Sequence, residues 1–351
     1  MQAKASTGNT GSPIGIVVIG RNEGDRLRRC LKSIAATPCR VVYVDSGSTD
    51  GSLALAQSMG TAALALDLSI PFCAARARNA GYQRLLELDG QLRYVQFVDA
   101  DCELVEGWLP FAADALECHP DVAAVAGWLH ERTPDASIYN RLAELEWNAS
   151  PPGPVDALGG ICMIRRAAFD QAGGFDPTIT AGEEPELCQR LIHRGWRLLR
   201  IDRRMATHDL AMTRFAQWWL RMVRSGYGSM DVACRFGVAR FSRNTWRILF
   251  WTAWLSAAVA AAAAAAMLGS ATLVMLTAIL IALWPLRLIR IILRTRGKGH
   301  PWSIAVPYAF LMAICFLPQF FGQVRYIADR LRNRLPRLLE YKTDVASRKR
   351  G

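Results

Sequence analysis

Two aspartates one residue apart, Asp99 and Asp101, close the apolar run Val95-Gln96-Phe97-Val98. A hard divalent cation takes oxygen ligands and can leave positions open for phosphate oxygens, so a carboxylate pair at the mouth of a strand is a candidate grip for Mg2+ or Mn2+. Such a triplet arises readily among thirty acidic residues, and its weight comes from the strand before it. Asp45 follows a second run, Arg40 to Val44, and opens Asp45-Ser46-Gly47-Ser48-Thr49-Asp50-Gly51. There it can accept hydrogen bonds from a base or ribose, or serve as a plain turn or cap residue. More carboxylates cluster in Ala181-Gly182-Glu183-Glu184-Pro185-Glu186, at the head of a helical pattern. The helix dipole alone favours acids in a first turn. A glutamate there can also act as general base for a hydroxyl that must lose its proton as it attacks. His208, beside Asp209, is either structural or a neutral imidazole that completes a metal site. Gly159-Gly160, after the Pro-rich stretch 151–154, permits close approach of backbone to a ligand or forms an ordinary turn.

The elements around these residues follow from apolar periodicity. Ile14 to Ile19 is a continuous β-branched run, followed by Gly20-Arg21-Asn22-Glu23-Gly24 and then by leucines at helical spacing over 25–35. That reads as strand, polar turn and helix. The unit repeats with Arg40 to Val44 and Ser52 to Met59, and further strands are predicted at Tyr94 to Val98, Ile161 to Ile164 and Leu198 to Ile201. Successive units of this kind predict an α/β fold, Rossmann-like, with a mostly parallel sheet covered on both faces and functional loops at the carboxyl ends of its strands.

The chain has 351 residues, 52% of them hydrophobic, and the excess lies after about residue 248. Residues 249–268 carry no charge and include Trp251 and Trp254, which predicts a spanning helix with an aromatic belt. A second span is predicted at 271–293, its Arg287 and Arg290 snorkelling to the bilayer surface. The third apolar segment, 301–324, is interrupted by Pro307 and Pro318 and is basic on both flanks. It either spans, or is re-entrant or interfacial. Residues 240–351 hold 17 Lys/Arg against 3 Asp/Glu, and residues 1–239 hold 25 against 27. The net charge of +12 therefore belongs to the membrane-proximal part and points to anionic lipid headgroups, not to nucleic acid. A channel would need more spans and more intramembrane polar residues. Nine cysteines without a C-x-x-C pair predict reduced thiols, and the first apolar run is too short for a signal-peptide core. The expected organisation is a flexible start (1–13), a cytoplasmic catalytic domain (14–239), a multi-pass inner-membrane region (240–324) and a basic tail (325–351).

Taken in order, the strings IGIVVIGRNEGDRLRRCLKSI, VVYVDSGSTDGS, AARARNAGY, VQFVDADCELVEGWL, LGGICMIRRAAFDQAGGFDP, AGEEPELCQRLIHRGW and THDLAMTRF resemble glycosyltransferase family 2, over roughly residues 14–225. The resemblance implies a GT-A catalytic domain and inverting, metal-dependent transfer from a nucleotide-diphospho-sugar, with a uridine preference. It implies that Asn22, Glu23 and Asp45 hold the nucleoside with Arg78 and Asn79 nearby, and that Asp99 and Asp101 bind metal and diphosphate. His208 would be the third metal ligand, and Gly160 would lie in the acceptor-side glycine loop. Glu183-Glu184 stands where the family carries Glu-Asp, so Glu184 takes the base position with Glu183 as its substitute; glutamate in place of aspartate is a departure. Polymerising members carry Q-x-x-R-W, whereas Gln217-Trp218-Trp219-Leu220-Arg221 has its arginine one place late and no tryptophan after it, which favours single-sugar transfer over a processive synthase. The amphipathic segment of Trp218, Trp219 and Met222 with Arg221 and Arg224 is expected at the bilayer surface, either closing over the diphosphate or guiding a lipid acceptor. The implied acceptor is a membrane lipid-linked glycan in surface polysaccharide or exopolysaccharide assembly. A catalytically inactive nucleotide-sugar-binding scaffold is the competing reading.

Overall fold

The computed structural model describes residues 12–236 and 243–332. Most of the expected flexible start and the tail from residue 333 onward lie outside the described residues. Nine strands form one mixed sheet: β1 (Ile14–Gly20), β2 (Arg40–Asp45), β3 (Ala62–Ala65), β4 (Tyr94–Asp99), β5 (Cys102–Leu104), β6 (Val122–Glu131), β7 (Gly153–Pro154), β8 (Cys162–Arg165) and β9 (Arg197–His208). The order is β3-β2-β1-β4-β8-β6-β9-β5, with β7 paired to β9. The ladders among β3, β2, β1 and β4 are parallel. Strand β8 runs against both β4 and β6, so the parallel character is confined to the first four strands and the β6–β9 pair.

Helices α1 (Asp25–Ile34), α2 (Ser52–Ser58), α3 (Ala74–Leu88), α4 (Trp108–Cys118), α6 (Arg166–Ala172) and α7 (Glu183–His193) cover this sheet, while α5 (Ile138–Trp147) lies between α4 and α6 in the chain. On α1 the buried residues Leu27, Cys30, Leu31 and Ile34 recur at three- and four-residue spacing, the stripe a sheet-packed helix needs. Strand β1 is buried from Ile14 to Ile19, as expected of a central parallel strand without a solvated face. Register places the polar positions together: Gly20 is opposite Asp45, and Ile19 is opposite Asp99. Strand β9 begins one residue before and ends seven residues after the predicted run Leu198 to Ile201, because it pairs with β5, β6 and β7 at once. Its arginines fall on solvated positions, two of them over rings: Arg200 on Trp128 and Arg203 on Phe111. His208 is thus the last residue of a strand.

A second compact unit is made of residues 133–146, 179–182 and 211–351. Its described helices are the bulk of α5 together with α8 (Phe215–Phe236), α9 (Arg243–Leu268), α10 (Ala271–Gly297), α11 (Trp302–Ile314) and α12 (Phe316–Leu331). Three stretches are long and apolar enough to cross a membrane: Asn244–Leu268, Ala271–Gly297 and Trp302–Leu331. The third is broken at Cys315, and half of its most apolar window is buried within the protein. Arg287 does not reach outward as expected; its guanidinium lies 4.0 Å from the centre of the Trp251 ring, whose quadrupole offers an alternative to water.

Helix α12 packs along α8 at backbone distance. A Cβ on Gly226 would overlap the Gln319 carbonyl, and one on Gly322 would overlap the Val223 carbonyl. We expect Gly226→Val to force these helices apart and lower the stability of the detergent-solubilised protein by about 1–3 kcal/mol. A thermal unfolding midpoint equal to that of the wild type would contradict this packing.

Candidate active site

The first loop pair is stitched by side chains. Asn22 adopts φ 56°, its Oδ1 accepts from the Thr49 amide at 2.7 Å, and its own amide donates to Ser48 Oγ at 2.9 Å. Asp45 is buried, and its carboxylate accepts from the Tyr43 hydroxyl (2.9 Å), Ser48 Oγ (2.5 Å) and the amides of Gly47 (3.0 Å) and Ser48 (2.8 Å). A carboxylate offers about four lone-pair positions, and all four are used here. The Asp45 side chain thereby builds the loop at the end of β2. Burial and Asp45 together push the Tyr43 hydroxyl well above its ordinary pKa, so it remains a donor. Glu23 is held by Arg26 at 2.7 Å. Asn79 is also committed, its amide holding both the carbonyl (2.7 Å) and the amide (3.0 Å) of Phe175. It lines an open depression of about 410 Å³ with Leu66, Asp67, Arg76 and Pro177, which does not include the metal-type residues below.

Arg78 is the centre of the site. It projects from α3 with 2% of its surface exposed, over the Phe175 ring at 5.4 Å. Its Nη2 lies 3.0 Å from Asp99 Oδ1, and its Nη1 lies 3.3 Å from Glu183 Oε1 and 3.1 Å from Glu184 Oε1. Burial would lower the pKa of this guanidinium, but Glu184, Asp99 and Glu183 outweigh it and raise the pKa. Arg78, expected near the nucleoside, thus clamps three carboxylates. Gly160 makes room for that clamp: a Cβ there would overlap Arg78 Nη2 and stand 2.8 Å from Glu184 Oε1. Glu184 keeps 22% of its side chain exposed, and its pKa is pushed up to about 7 by burial and by Glu183, against the opposing pull of Arg78. A carboxyl near neutrality and open to solvent can take a proton.

A second cluster forms where β9 ends. His208 pairs in register with Cys102, and its Nε2 lies 3.0 Å from Asp101 Oδ2. The Trp147 ring covers the imidazole at 4.5 Å, and the Asp209 amide donates to the Asp101 carbonyl at 2.9 Å. Arg29 braces this end, bonding Asp209 (2.5 Å) and Glu103 (3.2 Å). Among the described residues, the one group able to offer three ligand atoms to a metal is Asp101, Cys102 and His208. Burial, followed by Asp99, pushes the Cys102 thiol well above its ordinary pKa, and it donates to Asp101 Oδ1 at 3.3 Å. The donors left for a hard cation are therefore a hard oxygen of Asp101 and a borderline nitrogen of His208. Two cis ligands ~2.1 Å from an octahedral ion stand ~3.0 Å apart, so this oxygen–nitrogen pair fits Mg2+ or Mn2+. Asp99 is outside that group; its carboxylate, 38% exposed, turns to Arg78 because the buried guanidinium is its nearest counter-charge. Arg221 belongs to the second unit, where it pairs with Glu146 at 2.7 Å.

Sequence reasoning missed Cys102, Trp147 and Arg29. For Cys102 a signal existed, since it is adjacent to Asp101 and begins a short alternating strand. Trp147 and Arg29 carried none, being distant in the chain from what they support. We expect Arg78→Met, which strands three carboxylates, to destabilise the protein by about 3 kcal/mol or more. An unaltered thermal midpoint would show that the clamp is not needed for folding.

Comparison with known proteins agrees with this geometry. Residues 15–173 match the family described as Glycosyl transferase family 2. Two curated relatives, the pre-mycofactocin glycosyltransferases of Mycobacterium tuberculosis strains CDC 1551 / Oshkosh and ATCC 25618 / H37Rv, are 28% identical over 235 residues, which is 63% of this chain and 47% of theirs. The chain thus spans about half the length of the curated relatives it matches. A mannosyltransferase from Pyrobaculum calidifontis, solved in complex with GDP-Man and Mn2+, superposes with a TM-score of 0.62 at 20% identity, covering 91% of this chain and 88% of that one. With aspartates at the carboxyl ends of β2 and β4 and a histidine brought to Asp101 by β9, this chain has a GT-A fold and, over residues 15–173, is similar to glycosyltransferase family 2.

Proposed function

We propose that the protein transfers a sugar from a nucleoside-diphospho-sugar to a hydroxyl of a membrane-associated acceptor, with inversion and one sugar at a time. The observation that carries this reading is Glu184: a carboxyl with a pKa of about 7, partly open to solvent and held 3.1 Å from the Arg78 guanidinium. The Glu184 carboxylate takes the proton of the acceptor hydroxyl as that oxygen bonds to the anomeric carbon and the bond from that carbon to the diphosphate breaks. Arg78 fixes the orientation of Glu184 and prevents its pKa from rising further. Asp101 and His208 would hold a Mn2+ or Mg2+, and Asp99 would help to position the diphosphate. Bound there, such an ion supplies charge neutralisation for the leaving nucleotide. The loop built by Asn22, Asp45 and Ser48 presents its outer face to the nucleoside, UDP- or GDP-linked. The three apolar stretches favour an acceptor in the bilayer, such as a lipid-linked oligosaccharide for a surface glycan, and the domain facing the cytoplasm, where nucleotide sugars are made.

The base assignment has a pH signature. Below its pKa Glu184 carries the proton and cannot accept another, so kcat/KM should fall about ten-fold per pH unit below about 7 and level off above it. Glu184→Gln should lose about 10³-fold in turnover with the donor KM little changed. An acid limb near the ordinary glutamate range, or a variant that retains turnover, removes Glu184 from this role. For the metal, chelation with EDTA should abolish transfer and Mn2+ should restore it, while Asp101→Asn should raise the Mn2+ concentration needed by about ten-fold or more. Donor binding without any turnover under these conditions would favour the scaffold reading.

A further inference from the structure

The group Asp101, Cys102 and His208 contains one donor that the proposed reaction leaves unused, the Cys102 thiol. Sheet register puts it there. Cys102 on β5 is directly opposite His208 on β9, and residues paired across a ladder project to the same face. One carboxylate oxygen of Asp101 meets the sulfur and the other meets the imidazole: Cys102 Sγ lies 3.3 Å from Oδ1, and His208 Nε2 lies 3.0 Å from Oδ2. One donor atom from each of the three residues lies within 4.8 Å of the other two. Tetrahedral ligands ~2.0–2.3 Å from a zinc ion stand ~3.4–3.6 Å apart, so side-chain shifts of about 1 Å close this set around a single ion.

Hard and soft cations use this group differently. Mg2+ and Mn2+ prefer oxygen and have little affinity for sulfur, so they leave the thiol protonated and take Asp101 and His208 alone. A single carboxylate then leaves the ion a net positive charge, and its remaining positions call for phosphate oxygens. Zn2+ takes thiolate, imidazole and carboxylate together, and the carboxylate and thiolate neutralise it with no nucleotide present. Three protein ligands of these types with a fourth position open is a recurrent zinc arrangement. Asp101 and Cys102 are both buried, and burial favours the ion whose ligands cancel its charge.

We propose that Cys102 turns the aspartate–histidine pair into a three-ligand site for thiophilic divalent ions, Zn2+ above all, which compete there with the hard ion. On binding, the sulfur–metal bond replaces the Cys102 S–H bond and the proton leaves to the buffer. The inference rests on the metal reading of Asp101 and His208. The test uses the full chain in detergent, without donor sugar, with the exposed Cys118 and Cys234 replaced by serine. Zn2+ affinity is read by competition with a chromophoric chelator, Mn2+ affinity by loss of the free-ion electron paramagnetic resonance signal, and Co2+ serves as the coloured stand-in for Zn2+. Bound Co2+ should show a thiolate-to-metal charge-transfer band. Cys102→Ser and Cys102→Ala should each abolish that band and weaken Zn2+ by about 100-fold, while Mn2+ affinity changes by less than about two-fold. His208→Gln should weaken both ions. A Co2+ complex without the band, a Zn2+ affinity that neither Cys102 variant changes, or a loss of Mn2+ affinity as large as that of Zn2+ overturns the proposal. If His208→Gln leaves both ions bound as before, the metal reading of the pair fails as well.

Discussion

A single buried cation organises the catalytic half of this protein. Arg78 reaches from α3 to a carboxylate at the end of β4 and to two more at the start of α7, segments more than eighty residues apart in sequence. A charge so deeply buried is tolerable only when paired, and three carboxylates around one guanidinium leave a net negative charge. Burial first, and then that surplus through Glu183, raises Glu184: the clamp is strong enough to hold the acids together and too small to neutralise them all. Geometry and proton affinity thus come from one interaction, and the missing side chain of Gly160 is part of it.

The second constraint is the reversed strand β8. The first four strands are parallel and would by themselves form an ordinary nucleotide-binding sheet. Strand β8 lies between β4 and β6 and turns the sheet's far half, so that β9 can bring His208 alongside Cys102 and hence next to Asp101. The long, arginine-rich β9 is stable only because three neighbours share its backbone hydrogen bonds. The aspartate–histidine pair is therefore a consequence of sheet topology. Trp147 and Arg29 then hold it in place.

The helical unit obeys different physics. Its closest packing, α8 on α12, uses Gly226 and Gly322 to bring the two backbones together. Its arginines are sorted by environment: Arg290 and Arg294 of α10 are exposed and Arg296 lies over Trp302, while Arg247 and Arg287 are drawn inward against rings and a broken helix.

Much of this was legible in the sequence. The β-branched run 14–19 and the leucine stripe of α1 could form only a buried strand and its covering helix, and the charge-free run 249–268 could form only a long apolar helix, because periodicity and composition act locally. Asp99, Asp101, Glu184 and His208 could be singled out because each lies at the edge of such an element. Which of them meet was decided by tertiary structure. Asp99 and Asp101 are two residues apart, yet one turns to Arg78 and the other to His208. Asp45 has the position of a ligand-binding acid, and its oxygens are filled by its own loop. Arg78, expected near a nucleoside, became the clamp on three acids once α3 and α7 packed together. Side-chain direction at a strand end depends on which counter-charge the fold brings within reach, and that distance is set by elements far away in the chain.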